Sequence, residues 1–329
     1  MSFLDKMPKP FFILAPMDDV TDSVFRQIVS DCAPPDLYYT EFVNVDGLQS
    51  PGRPKLLKKL QFTKKERPII AQLWGINPDN FYKTTKDVKE MGFDGVDLNM
   101  GCPVKTVIKN GACAALIKNR ESAGKIIEAT QAGAGTLPVS VKTRVGFTTV
   151  DMSWIEFLLT KKLNMLSIHG RTAKQKSLVP ADWGLIGQAR EIRDSTCPST
   201  LIVGNGDVKN RMQGLELANK YKLDGVMIGR GIFDDPFAFE KNSPWAGYSS
   251  QQRIELYKKH IKLFSKTWTN GEYKFESLRK FCKVYINGFE GAHDLRAKFM
   301  QASNPKEALE VLNTANESGR APAKYSVVR

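Results

Sequence analysis

The stretch Gly95-Val96-Asp97-Leu98-Asn99-Met100-Gly101-Cys102-Pro103 decides how this chain is read. Asp97 and Asn99 follow the apolar-rich start of the run, as polar groups do where a buried strand reaches its rim. Gly101 permits a sharp turn and Pro103 stiffens its exit. The Cys102 thiol is then held out of the core, in a place where it could act. Buried inert cysteine is the commoner fate of this residue, so the motif alone leaves both roles open.

Working outward, seven more short apolar runs read as strands: 11–15, 37–43, 69–73, 139–143, 165–169, 201–204 and 225–228, with 95–99 as the fourth of eight. Amphipathic helical patterns lie between them, at 79–91, 122–132, 152–161, 185–193 and 211–221. Asn77-Pro78 and Asp182 are helix start signals. Eight alternating strand–helix units indicate an α/β protein built as a (β/α)8 TIM barrel, in which every strand ends at one mouth. An open six-stranded sheet would leave two strands unassigned, and no Gly-x-Gly-x-x-Gly follows the first strand.

From Gln251 onward only helical periodicity remains, with Ile254, Tyr257, Ile261 and Phe264, then Phe275, Leu278, Cys282 and Tyr285. Two further helices are expected, near 293–300 and over 305–312, and residues 318–329 are expected to fray. The chain therefore divides into a barrel over residues 1–245 and a small all-helical C-terminal domain over 246–329. The second part holds 15 Lys/Arg against 8 Asp/Glu, which is +7 of the chain's net +13. Its basic residues, among them Lys258, Lys259, Lys262, Lys266, Arg279, Lys280, Lys283, Arg296 and Lys298, are interleaved with Tyr257, Trp268, Tyr273 and Tyr285. That mixture suits phosphate contacts with base stacking, or equally a solvated helical face over an aromatic core.

The 329 residues are 42% apolar and 25% charged, ordinary for a soluble globular protein. A pI near 9.4 is not ordinary and favours a polyanionic partner, nucleic acid ahead of an acidic membrane, or else a generally basic surface. Five cysteines without framework spacing argue for a reducing compartment rather than a disulfide-stapled secreted fold. No C-x-x-C pair occurs and the three histidines are far apart, so no metal site is expected. The first apolar run is too short for a signal sequence or a membrane span, which points to a cytoplasmic protein.

In a barrel the strand tips form one constellation. The tips carry Pro16-Met17, Gln72, Asn99 with Cys102, Lys142 with Arg144, His169 with Arg171, Asn205-Gly206-Asp207 and Gly229-Arg230-Gly231. A lone lysine in an apolar strand needs an accepting partner, because burying an unpaired ammonium is costly. Glycine-rich tips on the last two strands are where this fold commonly cradles a phosphate, and Arg230 could add a charged contact. His169 could contact a ligand or carry a proton, or be a structural histidine. Gln72 and Asn99 could face a ring or simply cap loops. A phosphate cradle, an inward lysine and ring-facing amides together look like an FMN site.

These residues resemble the tRNA-dihydrouridine synthase family of the bacterial, FMN-dependent type. The resemblance is carried by Leu14-Ala15-Pro16-Met17 with Thr21-Asp22 and Phe25-Arg26, by Ala71-Gln72-Leu73, by 97–103 with Val107 and Gly111-Ala112, and by Lys142-Thr143-Arg144. It continues in His169-Gly170-Arg171-Thr172 with Ala181-Asp182-Trp183, in 204–207 and in 229–231, and so spans essentially the whole chain. It implies FMN, reduced by NADPH, saturating the C5–C6 bond of a uracil in the tRNA D-loop, with Cys102 as general acid. An ordinary thiol pKa of about 8.5 leaves Cys102 mostly protonated at neutral pH. It implies that Pro16, Met17, Gln72, Lys142 and His169 hold the flavin ring, and that Asn205, Gly206, Asp207, Gly229 and Arg230 hold its phosphate. Asn99, Arg144 and Arg171 would lie near the substrate uracil, the helical tail would bind tRNA, and a monomer is the simpler expectation. Three residues depart from the family pattern: Asp19 where Gly is usual, Cys113 for the second Gly of a Gly-Ala-Gly run, and Ala173 where Arg or Lys is common. Two other readings remain open: a barrel flavoenzyme for a small molecule, similar to dihydroorotate dehydrogenase, and a non-catalytic RNA-binding barrel.

Overall fold

The computed structural model describes residues 2–318, so the expectation for the last residues lies outside the described part apart from Ser318. Nine strands form one parallel sheet: β1 (Phe11–Leu14), β2 (Tyr38–Tyr39), β3 (Val43–Asn44), β4 (Ile69–Trp74), β5 (Gly95–Met100), β6 (Val139–Arg144), β7 (Met165–His169), β8 (Leu201–Asn205) and β9 (Gly225–Ile228). The order β1-β9-β8-β7-β6-β5-β4-β2 is that of a barrel, and a parallel bridge from Ile13 to Leu37 closes the ring. The seam there is thin. Leu14 N–H donates to Leu37 O at 3.1 Å, and Leu37 N–H to Phe12 O at 3.2 Å.

The expected second strand, 37–43, is broken. β2 and β3 each hold two residues and both pair with β4. Between them the Thr40 hydroxyl donates to Glu41 O at 2.7 Å, and Glu41 is fully buried with its carboxylate accepting from Asp19 N–H at 2.7 Å. Local polar bonding of this kind competes with the strand ladder.

Crossover helices follow the strands, including Ser23–Cys32, Pro78–Glu90, Arg120–Ala134, Met152–Thr160, Trp183–Thr196 and Arg211–Tyr221. Each of the six starts on an Asp or Asn whose side chain accepts a first-turn N–H: Asp22, Asn77, Asn119, Asp151, Asp182 and Asn210. Such caps satisfy donors that a helix cannot satisfy itself and contribute about 1 kcal/mol each. Phe11, Ile13, Tyr39, Ile70, Met165, Leu201, Val203 and Met227 fill the barrel floor, joined by Leu4 from the N-terminal turn. Apolar side chains seal that end and leave the other to chemistry.

The chain separates into two compact units, Met1–Ser243 and Pro244–Arg329. The second unit is helical, with Ser250–Thr267, Ala292–Gln301 and Pro305–Ser318 as its longer helices. Its aromatic residues answer the question the sequence left open. Tyr257, Trp268, Tyr273 and Tyr285 are buried, with Tyr257 stacked on Tyr285 at 4.7 Å between centroids and Trp268 against Tyr273 at 4.8 Å. They make a core and are not a base-stacking surface. Lys259, Lys262, Lys266, Lys280, Lys283 and Lys298 are exposed, whereas Arg279 and Arg296 donate to the Ala302 and Ile286 carbonyls inside the unit. Among the described residues no helix is long and apolar enough to cross a membrane.

Candidate active site at the barrel mouth

Parallel register brings the polar residues of neighbouring strands side by side. Gln72 pairs with Asp97, Asp97 with Ser140, Asn99 with Lys142, Lys142 with Ser167, and His169 with both Arg144 and Asn205. Because side chains alternate faces along a strand, these form an inward polar belt above the apolar floor.

On one side of the mouth lies a cavity of about 610 Å³. Its lining includes Pro16, Met17, Lys142, His169, Arg171, Asn205, Gly206, Asp207, Gly229 and Arg230, so nine of the ten residues expected to hold a cofactor meet here. Arg171, expected beside a substrate uracil, joins them: its guanidinium bonds His169 Nε2 at 2.9 Å and pairs with the Asp207 carboxylate. Arg230 reaches the other Asp207 oxygen at 3.1 Å. Asp207 is thus the acceptor that orients two arginines, and its own side chain does not suit an anion. Burial and the surrounding Lys142, Arg144, Arg171 and Arg230 hold His169 far below the ordinary imidazole range. It is neutral at working pH, accepts from Arg171 on Nε2, and so carries its proton on Nδ1. A neutral hydrogen-bonding group fits this site and a proton carrier does not.

Lys142 is the least compensated charge in the mouth. Its ammonium donates to Asn205 Oδ1 at 3.1 Å and forms no ion pair among the described residues. Burial, then Arg144, pull its pKa down to about 8. Such a group is stabilised by an anion, or by a ring that becomes anionic, placed against it. Glycine is required where the cradle closes. A Cβ on Gly231 would meet the Lys209 and Val208 carbonyls at 2.5 and 2.6 Å. Lys209, Val208, Phe233 and Asp234 also line the cavity and were missed in the sequence, where nothing separates them from ordinary loop residues.

The remaining expected residues sit around Cys102. Gln72 is fully buried and bonds Asp97 and Asn99. Asn99 Oδ1 accepts from Gly101 N–H at 3.1 Å and Cys102 N–H at 3.0 Å. Arg144 Nε donates to Gly101 O at 2.8 Å, and its Nη1 to the Thr172 and Lys176 carbonyls, so this arginine ties three loops together. Gly101 does not adopt a left-handed conformation. Its need for glycine is space, since an added Cβ would sit 3.3 Å from the Thr143 backbone.

Cys102 is half-buried and its pKa is lowered to about 7, first by a hydrogen bond from the Cys113 thiol and then, against burial, by Val104 N–H. The ordinary thiol value assumed from sequence is therefore too high: at neutral pH the proton is on Cys102 about half the time. Cys113 itself is buried at φ 52°, and Asp19 sits at φ 56°. Both departures from the family's glycines fall in the left-handed region, which glycine takes freely and other residues at a cost. Ala173 is buried and donates its N–H to Gly146 O at 2.9 Å. Asp18, Asp19 and Glu41 form an acidic cluster, but Lys59 pairs with Asp18 and lies 3.6 Å from Glu41, supplying the positive charge there.

A family model described as dihydrouridine synthase matches residues 13–319. A probable tRNA-dihydrouridine synthase of Staphylococcus epidermidis is 45% identical over 316 residues, covering 95% of this chain and 96% of that protein. A probable tRNA-dihydrouridine synthase 2 of Bacillus subtilis is 42% identical over 315 residues, with 95% and 96% covered. Among solved structures, morphinone reductase in complex with tetrahydroNAD aligns with a TM-score of 0.50 at 13% identity, over 71% of this chain and 87% of that one, a likeness of fold alone.

Proposed function

The chain belongs to the dihydrouridine synthase family, and from that premise we propose that it reduces the C5–C6 bond of a uridine in the tRNA D-loop, using FMN and NADPH. The observation that carries the cofactor is Lys142, an inward ammonium with one hydrogen bond at the edge of a 610 Å³ cavity. The residues present fit FMN. Lys142, His169 and the Pro16-Met17 backbone would hold the ring. Asn205, Gly206, Gly229 and Arg230 would receive the phosphate, with Asp207 holding Arg230 and Arg171 in place. When bound, the reduced cofactor supplies a hydride for C6 of the uracil.

The chain supplies the proton. Charge left at C5 and O4 is quenched when Cys102 donates from Sγ to C5. The Cys113 thiol and Val104 N–H stabilise the thiolate that remains, and a proton from solvent restores it. Asn99 and Arg144 keep the turn from moving during that transfer. Arg144, at the C-terminal end of β6, and Arg171, at the cavity wall, would bound the space beside the base. A uracil in folded tRNA is inaccessible, so it would be extruded into the mouth. The exposed lysines of the helical unit, with Lys259, Lys262 and Lys266 along one helix, suit phosphate contacts that position the tRNA. A tRNA substrate and five free cysteines fit a cytoplasmic protein, for which a monomer is the simplest assembly.

The purified protein should carry flavin absorbance, bleach with NADPH and recolour on adding unmodified tRNA. Mapping dihydrouridine in tRNA from cells lacking the gene should reveal loss at a D-loop position. A colourless protein would instead favour an RNA-binding barrel. Flavin that is reoxidised by a free enone and not by tRNA would favour a small-molecule enzyme.

A further inference from the structure

Beneath Cys102 runs a string of hydrogen bonds with a fixed direction. Ser140 Oγ donates to Asp97 Oδ1 at 2.6 Å, and Gln72 Nε2 donates to Asp97 Oδ2 at 2.7 Å. Asn99 Nδ2 donates to Gln72 Oε1 at 3.1 Å, and Asn99 Oδ1 accepts the Gly101 and Cys102 N–H groups. Asp97 and Gln72 are fully buried, and Asn99 nearly so. An amide can turn either end toward a neighbour, and only the network decides which. Here both ends of the string decide alike. At one end an ionised carboxylate accepts only, which turns Gln72 Nε2 toward it. At the other end two peptide N–H groups donate only, which turns Asn99 Oδ1 toward them. The two amides between can then meet in one orientation.

We propose that Asp97 is a positioning residue for Cys102: as the terminal acceptor it sets the orientation of Gln72 and Asn99, and so holds the Gly101-Cys102 turn that aims the thiol. No chemistry is assigned to Asp97, which reaches neither substrate nor cofactor and acts through two amides. Arg144 on Gly101 O holds the same turn from the opposite side, and Ala114 N–H meets Cys102 O at 3.4 Å. Loss of the string therefore loosens the turn without freeing it. Burial raises the Asp97 pKa to about 6, with Ser140, Gln72 and Lys142 opposing, so the carboxylate is mostly ionised at neutral pH and the acceptor is in place. The inference rests on Cys102 being the proton donor, yet part of its test does not.

The direct readout is the rate at which Cys102 is alkylated by iodoacetamide across pH, followed on its own peptide by mass spectrometry in the full-length purified protein. The groups facing Cys102 are Asp18, Cys113, Lys142 and Arg144; none is replaced in the variants used, and the charge that Asp97→Leu removes near Lys142 is removed equally by Asp97→Asn. In Asp97→Leu the turn relaxes, Val104 N–H no longer meets the thiol squarely, and the alkylation midpoint moves up from about 7. With tRNA as substrate, kcat falls roughly 10- to 100-fold while KM and flavin content stay near wild type, as expected when a reacting group is misplaced by a fraction of an ångström. Asp97→Asn restores both readouts to within about threefold, because its amide oxygen can face Gln72 while its nitrogen donates to Ser140 Oγ. Gln72→Met, which removes the middle link, shifts the alkylation midpoint as Asp97→Leu does and serves if that variant does not fold. An unshifted alkylation profile in either variant, or an Asp97→Asn protein as impaired as Asp97→Leu, overturns the proposal. Absence of activity on tRNA in the wild type, with the alkylation shift intact, would instead overturn the enzymatic reading and leave the string in place.

Discussion

The two sides of the barrel mouth solve opposite problems with opposite means. The β6–β9 side is built from charges: Arg171 and Arg230 on one carboxylate, Lys142 on an amide oxygen, and His169 kept neutral by burial and by the cations beside it. The β5 side is built from neutral amides that end on the peptide N–H groups of a half-buried thiol. An excess of positive charge attracts an anion and tolerates small movements, since Coulomb forces fall off slowly. A hydrogen-bonded string fixes direction, which a proton donor needs and an anion site does not. One side is suited to holding and the other to aiming.

That contrast can be broken experimentally. Cys102→Ala should have the largest effect, lowering dihydrouridine formation by roughly 10²- to 10⁴-fold, as expected for a lost general acid. Flavin content and reduction by NADPH should be unchanged, and normal turnover in a tRNA assay would remove Cys102 from its role. Lys142→Met attacks the holding side: flavin should be bound roughly 10- to 100-fold more weakly, the loss expected for one charge-assisted hydrogen bond, as read by equilibrium dialysis. Retention of flavin at wild-type affinity would show that the ammonium faces something else.

The pH profile sharpens the aiming side. With a thiol pKa of about 7, the donor form prevails below that value, so kcat should decline tenfold per pH unit on the alkaline side once protonation limits the rate. Cys113→Gly removes the largest cause of the lowered pKa and should move that limb upward. An unmoved limb would exclude Cys113 as the donor that sets it. The smallest effect belongs to Arg230→Gln. Its side chain is 61% exposed, so flavin affinity should weaken only a few-fold, and less at high salt.

Much of this was legible in the sequence because each barrel strand is a compact apolar run and its tip is polar. The residues that would hold a cofactor are local to their own tips, so once the barrel is recognised they converge without further information. What escaped depends on contacts between distant segments. The break between β2 and β3 comes from Glu41 bonding Asp19. The lowered pKa of Cys102 comes from a second thiol carried on the loop after β5. Gln72 and Asn99 were visible as strand-tip amides, but their common dependence on Asp97 appears only when β4, β5 and β6 are in register. The aromatics of the helical unit were ambiguous because the same 3.6-residue spacing serves a core and a surface stripe, and burial alone separates the two.

The closure between β1 and Leu37 gives the barrel a mechanical asymmetry. From β4 round to β1 neighbouring strands are laced by ladders of three to five residue pairs and β2 and β3 each hold β4 by two, while here the ring is joined by one bridge and three backbone bonds. A ring yields at its weakest link, so breathing of the barrel should begin there, and the amide hydrogens of Leu14 and Leu37 should exchange with solvent before those of Val141 or Leu166. Pro16 and Met17 lie just beyond that link. The wall of the mouth that must admit a large flat ring is therefore also the one able to part.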